Sequence, residues 1–254
     1  MSEIRTEVRD RVLSIEIARP EKKNALTQAM YAALADALRS ADSDANVRAV
    51  LIHGSQDCFT AGNDLKDFLE RPPHAEEAPV SRFLASLPAF AKPLIAAVNG
   101  PAVGIGTTML LHCDLVFAAP AATFQLPFVN LGLVPEAASS FLLPYIAGYQ
   151  RAAELLLLGR PFGPEKALAA GFVTEIVPQA ELFERARAAA LAVAALPPAA
   201  VRAAKALMRE PYRARVAEAM QAEGKVFRER LASPEAKEAM TAFFEKRKPD
   251  FSRF

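Results

Sequence analysis

The stretch IAAVNGPAVGIG at residues 95–106 decides the fold of this chain. It lies in a run, residues 94–111, that contains no charged side chain, as a membrane-spanning helix would. The turn-forming sequence Asn99-Gly100-Pro101 interrupts the run near its start, which argues against a single spanning helix. The stretch therefore predicts a buried strand, a tight turn and a buried helix.

The regions on both sides of this stretch alternate between strand and helix patterns. Upstream, Leu13, Ile15 and Ile17 point to one face of a strand, and Thr27 can cap a helix that runs to about Ser40. Further strands are predicted at residues 47–53, 114–118, 123–126 and 172–177, and helices at 65–69 and from about 136, 150 and 164. Beyond residue 181 the pattern is almost entirely helical. We therefore predict an α/β protein with a core at residues 1–180 and a helical C-terminal region at 181–254.

Composition and charge exclude several classes of protein. Of the 254 residues, 52 % are hydrophobic and 23 % charged, which excludes a disordered chain, a coiled coil and a collagen-like fibre. The net charge of +1 provides no field for nucleic acid or an acidic membrane, so neither is expected as a partner. Cys58 and Cys113 are too few for a disulfide framework and lack metal-site spacing. The charged N-terminus lacks a signal peptide's apolar core, so we expect a cytoplasmic protein.

The glycine-rich turn at residues 99–106 lies where backbone N–H groups are available to an anion. It lacks the full G-x-G-x-x-G spacing and no lysine follows it, so a phosphate-binding loop is not indicated. A second turn of small residues, FTAGNDL at residues 59–65, also lies between a strand and a short helix. The two turns predict either tight strand-to-helix connections or a pair of amides that hold one developing negative charge.

Glu136 is the most informative single residue in the sequence. It follows Pro135 at the predicted start of a helix, and no other charge occurs between Leu115 and Gln150. A carboxyl group buried among apolar neighbours has a raised pKa, which suits a general acid/base. The alternative is a capping role, in which the carboxylate meets the helix dipole. Spacing alone leaves these two interpretations equal.

Other features favour structural roles. There are three histidines and no G-x-S-x-G motif, so a nucleophilic triad is not indicated. His112 lies in an apolar stretch and is predicted to be a core histidine, and Asp114 is predicted to be structural. The proline-rich stretch at residues 71–79 predicts a loop, either a plain surface loop or a mobile flap beside a site.

Four motifs in order along the chain resemble the crotonase, or enoyl-CoA hydratase/isomerase, superfamily. They are RPEKKNALT at residues 19–27, FTAGNDL at 59–65, IAAVNGPAVGIG at 95–106 and FFEKRKPDF at 243–251. The resemblance covers essentially the whole chain. It implies a crotonase-like spiral of β-β-α turns with a C-terminal helical trimerisation region, an acyl-CoA substrate, and a homotrimer or a dimer of trimers. Coenzyme A is part of the substrate, so no separate cofactor is implied.

The resemblance also implies roles for individual residues. The backbone N–H groups of Asn63 and Ile105 would form an oxyanion hole for the thioester oxygen. The residues expected to contact coenzyme A are Lys22, Lys23, Ala25, Ala61, Asp64, Leu65 and Lys246. The residues expected to line the acyl pocket are Leu126, Phe128 and Phe141.

The acid/base positions distinguish reactions within the family. Typical hydratases carry two glutamates, and Thr108 and Phe128 stand at those positions here, so standard hydration is disfavoured. The stretch FQLPFVNLGLVPEAASSF at residues 124–141 resembles the peroxisomal-type Δ3,Δ2-enoyl-CoA isomerases, in which a lone glutamate, here Glu136, is the base. The expected reaction converts a 3-enoyl-CoA into a trans-2-enoyl-CoA. The alternatives are enoyl-CoA hydration, another crotonase reaction such as isomerisation of an aromatic-degradation intermediate, and non-catalytic acyl-CoA binding.

Overall fold

The computed structural model describes residues 2–70 and 78–254, and it confirms the mixed α/β class predicted from the sequence. The strands of this part of the chain are β1 (Ile4–Arg9), β2 (Val12–Ile17), β3 (Ala49–Gly54), β4 (Leu94–Val98), β5 (Pro101–Val103), β6 (Leu115–Ala118), β7 (Thr123–Gln125) and β8 (Glu175–Ile176). Its α-helices are α1 (Gln28–Ser43), α2 (Leu65–Glu70), α3 (Pro79–Ala89), α4 (Ile105–Thr108), α5 (Ser139–Ala147), α6 (Tyr149–Leu158), α7 (Pro164–Ala169), α8 (Leu182–Ala194), α9 (Pro198–Arg209), α10 (Arg213–Leu231) and α11 (Pro234–Phe244).

Six strands form the main sheet in the order β1-β2-β3-β4-β6-β8. The first pair is antiparallel and the other pairs are parallel. Helices cover both faces, as a parallel sheet requires. Alternate residues of β3 and β4 therefore enter two packing layers: Val50 and Ile52 pack with α1 and α3, whereas Leu51, Ile95 and Ala97 pack with α8.

A second, two-stranded parallel sheet pairs β5 with β7. The stretch that the sequence predicted as a single tight turn thus contains a strand, because Pro101–Val103 finds a partner in Thr123–Gln125. A bridge between Thr60 and Ala102 attaches the FTAGNDL turn to β5. The two turns follow neighbouring parallel strands, β3 and β4, at their carboxyl ends, which is the edge where α/β proteins bind ligands.

Three helix boundaries differ from those predicted from the sequence. The predicted cap is confirmed, since the Thr27 hydroxyl accepts a hydrogen bond from the Met30 N–H at 3.3 Å, and α1 ends at Ser43. The helix predicted from Glu136 begins only at Ser139, because Ala137 and Ala138 have left-handed backbone conformations. Residue 79, predicted as loop, begins α3, and residues 71–77 of the predicted loop or flap lie outside the described residues.

The C-terminal helices pack back onto the α/β core. Helix α8 covers one face of the main sheet, α10 packs against α5, and α11 inserts Ala236 and Met240 into the main hydrophobic cluster. No helix of the described ranges is by itself long and apolar enough to span a membrane. Residues Leu182–Ala194 and Pro198–Leu231, joined at a bend of 106°, meet that length and composition only as a pair.

An ion pair between the buried Lys205 and the more exposed Asp114 joins α9 to the start of β4. The Lys205 ammonium donates to Asp114 Oδ2 at 2.7 Å and to the Lys92 carbonyl at 2.6 Å. The same Asp114 oxygen accepts the Leu94 N–H at 2.7 Å, and Arg209 approaches Oδ1 at 3.5 Å. Asp114 therefore has the structural role expected of it, while burial lowers the pKa of Lys205 to about 8.

Candidate active site

Two turns of small residues meet at the carboxyl edge of the sheet. Thr60 joins them, because its N–H donates to the Pro101 carbonyl and its carbonyl accepts the Val103 N–H, both at 3.0 Å. Glycine permits this close approach. A Cβ at Gly62, where φ is +84°, would lie 2.7 Å from the Val103 carbonyl oxygen, and a Cβ at Gly106 would lie 2.7 Å from the Thr60 methyl group.

The backbone amides of Asn63 and Ile105 are available to a ligand. Neither N–H donates to a protein acceptor within residues 2–70 and 78–254. For Asn63, the bridge to Leu26 uses the flanking Gly62 carbonyl and Asp64 N–H, so the Asn63 amide faces the other side of the segment. Ile105 is the first residue of α4, where N–H groups have no partner within the helix. Two such amides form a binding site for an oxyanion.

Both turns border an apolar cavity of about 320 Å³. Its floor comes from the two turns and from the segment after β7, and its outer wall comes from α10 and α11. The lining residues are Ala61, Gly62, Asn63, Leu65, Val103, Gly104, Ile105, Gln125, Pro127, Phe128, Leu131, Leu133, Phe227, Met240 and Phe243. A cavity of this size and polarity suits an apolar ligand with one polar group.

Glu136 lies in the irregular segment that precedes α5, not in the first turn of a helix. Its side chain is buried, and no correctly aligned hydrogen bond reaches Oε1 from the described residues. Burial, and secondly the negative charge of Glu223, raise the pKa of Glu136 to about 8 against the opposing effect of the nearby Thr108 hydroxyl. This profile favours the acid/base interpretation over the helix-capping one.

The position of this carboxyl relative to the amides follows from α4. Thr108 lies three residues after Ile105, on the same face of the helix, and is close enough to Glu136 to affect its pKa. Glu136 therefore lies near α4, the helix whose first residue is Ile105. It is absent from the lining of the cavity, which includes Ile105, Phe128 and Leu133.

The backbone after Glu136 has an unusual conformation. Ala137 and Ala138 have φ values of 58° and 56°, in the left-handed region that alanine rarely adopts. His112 supports this turn from one side, because its Nε2–H donates to the Ala137 carbonyl at 2.7 Å. Burial lowers the pKa of His112 to about 4, so it is a neutral core histidine, as the sequence predicted.

Two buried polar side chains at the site were missed by the sequence analysis. The Tyr31 hydroxyl of α1 donates to the Asn63 side-chain oxygen, and burial followed by the charge of Glu136 raises the pKa of Tyr31. Glu223 of α10 accepts N–H groups from the turn after Glu136. Tyr31 lies on the core face of α1, and the pattern offers no signal that its hydroxyl reaches the site.

The residues expected to contact coenzyme A occupy three different environments. Ala61 and Leu65 line the cavity. Ala25 and Asp64 are held by Arg19, which donates to the Ala25 carbonyl at 3.0 Å and to Asp64 Oδ2 at 2.8 Å. Burial acts to raise the pKa of Asp64, but hydrogen bonds from Arg19 and from backbone N–H groups lower it overall. The exposed lysines of this set are Lys22, Lys23 and Lys246.

The residues expected at the acyl pocket are not all brought together. Phe128 lines the cavity. Leu126 lies in the main hydrophobic cluster, because its neighbours Gln125 and Pro127 are the residues that face the cavity. Phe141 stacks on Tyr145, with 5.7 Å between ring centroids, in a separate cluster formed by α5 and α10. Only Phe128 of the three therefore lies on this cavity, and the acyl-pocket role of all three stays a prediction.

Two backbone amides without a protein acceptor border the apolar cavity, and a buried carboxyl group lies near the second turn. Groups of these kinds can hold an oxyanion and move a proton. No three His, Cys, Asp or Glu side chains in the described part of the chain are grouped so that they could hold a metal ion. The family model of the enoyl-CoA hydratases/isomerases matches residues 7–253. The chain belongs to this family.

Individual relatives within the family have different activities. The chain is 36 % identical over 245 residues to enoyl-CoA delta isomerase 2 of Homo sapiens, covering 94 % of this chain and 62 % of the human protein. It thus spans less than two thirds of that relative. It is 34 % identical to 2,3-dehydroadipyl-CoA hydratase of Escherichia coli, covering 99 % of both chains.

The solved structures confirm the crotonase fold. An enoyl-CoA hydratase/isomerase from Pseudoalteromonas atlantica has 45 % identity to this chain and superposes with a TM-score of 0.94. The match covers 99 % of this chain and 100 % of the other. The spiral α/β core and the C-terminal helices predicted from the resemblance are therefore present.

Proposed function

We propose that this chain is a Δ3,Δ2-enoyl-CoA isomerase that uses Glu136 as its single acid/base. The observation that supports this most strongly is the surroundings of Glu136. Its buried carboxyl is close enough to Thr108, three residues after Ile105, for that hydroxyl to lower its pKa, and its Oε1 has no hydrogen-bond partner among the described residues. Thr108 and Phe128, which stand where hydratases carry glutamates, cannot activate water. A carboxyl pair for hydration is therefore lacking at those positions.

The reaction requires one proton to move between two carbon atoms. Glu136 as a carboxylate removes a proton from C2 of a 3-enoyl-CoA, and the electrons pass into the conjugated dienolate. The Asn63 and Ile105 amides hold the negative charge on the thioester oxygen. Glu136 then returns the proton to C4, so the double bond moves from C3–C4 to C2–C3 and the enzyme is regenerated.

Known magnitudes show that these parts are sufficient for a useful acceleration. A positioned acid/base contributes roughly 10²–10⁴-fold, and one oxyanion donor contributes about 10²–10³-fold. The apolar lining, which includes Phe128 and Leu133, keeps competing water away from the dienolate. Glu223 does not serve as a second base, because both of its oxygens accept backbone N–H groups.

The test is the turnover of trans-3-hexenoyl-CoA, followed by the absorbance of the conjugated thioester, with hydration of crotonyl-CoA measured in parallel. We expect isomerisation without hydration. Because Glu136 has a pKa of about 8, kcat/KM should rise with pH in a single transition whose midpoint lies near pH 8. Glu136→Gln should lose at least about 10²-fold in kcat, whereas the exposed α10 variant Glu229→Gln should match the wild type.

Other outcomes of this assay point to the alternatives. Hydration of crotonyl-CoA at a comparable rate would indicate a hydratase. Binding of the acyl-CoA without turnover would indicate a binding protein. Near-normal isomerisation by Glu136→Gln would exclude the single-base mechanism.

We also propose that the chain assembles as a homotrimer or as a dimer of trimers. Large apolar side chains are exposed on α5, α6 and α9, which is unusual for a monomer surface. They include Tyr145, Tyr149, Leu157, Leu207 and Met208, each more than 60 % exposed. Light scattering coupled to size-exclusion chromatography tests this proposal, and a monomer at micromolar concentration would contradict it.

A further inference from the structure

A carboxyl group from the C-terminal region reaches the turn that carries the proposed base. Glu223 lies on α10 and is 7 % exposed. Its Oε2 accepts the Ala138 N–H at 2.6 Å, and its Oε1 accepts the Ser140 N–H at 2.8 Å. Ala138 and Glu223 are 85 residues apart in the sequence, so this contact joins α10 directly to the segment that begins at Glu136.

The turn needs such an external support. Two consecutive alanines, Ala137 and Ala138, have left-handed backbone conformations, which are unfavourable for residues with a Cβ. Such a conformation persists only when surrounding contacts enforce it. The His112 ring binds the Ala137 carbonyl, and Glu223 binds the N–H groups on the other side of the turn. Together these contacts fix the direction in which the Glu136 side chain leaves the backbone.

Glu223 also acts on Glu136 as a charge. Burial raises the pKa of both carboxyl groups, but only Glu223 receives two N–H donors that oppose this shift. Glu223 is therefore the member of the pair that carries the negative charge, and the proton resides first on Glu136.

Two titratable groups at this site, Tyr31 and His112, are uncharged, while Arg209 and Lys205 act on His112 from its other side. Tyr31 of α1 has a pKa raised by burial, and His112 has a pKa lowered by burial to about 4. The remaining neighbour that affects the Glu136 carboxyl is the Thr108 hydroxyl of α4, which does not titrate. Glu223 is thus the charged group among the described residues that raises the pKa of Glu136.

We propose that Glu223 is a positioning residue of this active site, whose carboxylate fixes the turn that carries Glu136 by accepting the Ala138 and Ser140 N–H groups. The proposal rests on the proposed function, in which Glu136 accepts a proton from one carbon and returns it to another. A neighbouring charge makes Glu136 a stronger base at the first step, and the fixed turn keeps it within reach of both carbons. Helix α10 thereby supplies a residue that holds the proposed base in place.

Two variants distinguish the effect of the Glu223 charge from the effect of its side-chain length. Glu223→Gln keeps the shape but removes the charge and one of the two acceptor functions. Glu223→Asp keeps the charge but is one methylene too short to hold both N–H groups. Glu229→Gln, on the exposed side of the same helix, is the matched control.

The first measurement is the pH dependence of kcat and KM for trans-3-hexenoyl-CoA. We expect Glu223→Gln to lower the midpoint of kcat/KM by about one pH unit. Both variants should lower kcat by roughly 10- to 100-fold, because the base is displaced, with KM changed less than about twofold because the cavity is intact. The midpoint in Glu223→Asp should stay near that of the wild type.

The second measurement is independent of turnover. Carboxyl ¹³C NMR follows the titration of Glu136, whose signal is identified by its absence in Glu136→Gln. We expect a midpoint near 8 in the wild type and about one unit lower in Glu223→Gln. If the wild type does not isomerise but this midpoint moves, the proposed function fails and the coupling between the two carboxyl groups stands.

A wild-type kcat in folded Glu223→Gln would overturn the proposal. If that variant does not fold, Glu223→Asp decides the question. A loss of kcat at constant KM and midpoint would support positioning, whereas wild-type kinetics would show that Glu223 only stabilises the fold.

Discussion

Replacing Glu136 by glutamine is expected to stabilise the folded chain at alkaline pH while it lowers kcat by at least about 10²-fold. The reason is that a base held in an apolar environment is costly when it is ionised. In the folded state the pKa of Glu136 is raised from 4.5 to about 8, mainly by burial. Glutamine has nearly the same shape and carries no charge at any pH.

The sign and size of the effect follow from proton linkage. Between pH 4.5 and about 8, the unfolded chain has lost the Glu136 proton and the folded chain retains it. The free energy of unfolding of the wild type therefore falls as pH rises through this window, by about 1.4 kcal/mol per unit. Across the whole pKa shift, from 4.5 to about 8, the free energy of unfolding falls by about 5 kcal/mol. The glutamine amide is buried without a full set of hydrogen bonds, which costs about 1–3 kcal/mol of this gain in stability. Above pH 8, Glu136→Gln should therefore be more stable than the wild type by about 2–4 kcal/mol.

The assay is urea unfolding followed by circular dichroism at about pH 5.5, 7 and 8.5. The stability difference between Glu136→Gln and the wild type should grow steadily with pH, and the variant should have no advantage near pH 5.5. Glu229→Gln, which removes an exposed carboxylate, controls for the change in net charge. A difference that stays constant across this range would refute the raised pKa of Glu136, and with it the argument that burial creates the base.

Three further predictions concern the support of the site. Tyr31→Phe removes the hydroxyl that donates to the Asn63 side chain, so we expect kcat to fall about tenfold with KM nearly unchanged. Steady-state kinetics measures both constants, and an equal rise in KM would contradict this expectation. Gly62→Ala should destabilise the fold by about 1–3 kcal/mol more than Gly148→Ala. Both glycines have similar positive φ, but only the Cβ at Gly62 meets a backbone oxygen, so equal losses in urea unfolding would show that the close approach is unimportant. Asp114→Asn leaves the buried Lys205 ammonium without its counter-charge and should cost about 3–5 kcal/mol; a loss below about 1 kcal/mol in the same assay would show that the pair is dispensable.

Much of the fold could be predicted because local patterns and tertiary packing agree. The helix that begins after Thr27 and the buried strand at residues 94–98 both appeared where the sequence placed them. The edge strand β1 was missed, because five of its six residues are exposed and it carries no alternating apolar pattern. Strand β5 was missed because it has three residues and exists only through its pairing with β7.

The candidate site was predicted in part for the same reason. Asn63, Ile105 and Glu136 lie in motifs or in charge-free surroundings that are visible along the chain. The irregular turn after Glu136 was not visible, because the left-handed conformation of Ala137 and Ala138 is imposed by His112 and by α10. An alanine pair carries no local signal for such a turn.

The sequence by itself determined the family, the two small-residue turns and the identity of the lone carboxyl group in an apolar segment, because these properties depend on residue types and short spacings. Only the tertiary structure decided that Tyr31 reaches Asn63 and that Glu223 reaches the turn after Glu136. Each of these contacts joins elements far apart along the chain, and each depends on the direction of one buried polar atom. Hydrophobic periodicity specifies which face of a helix is buried, but it does not specify what the polar end of a buried side chain will meet.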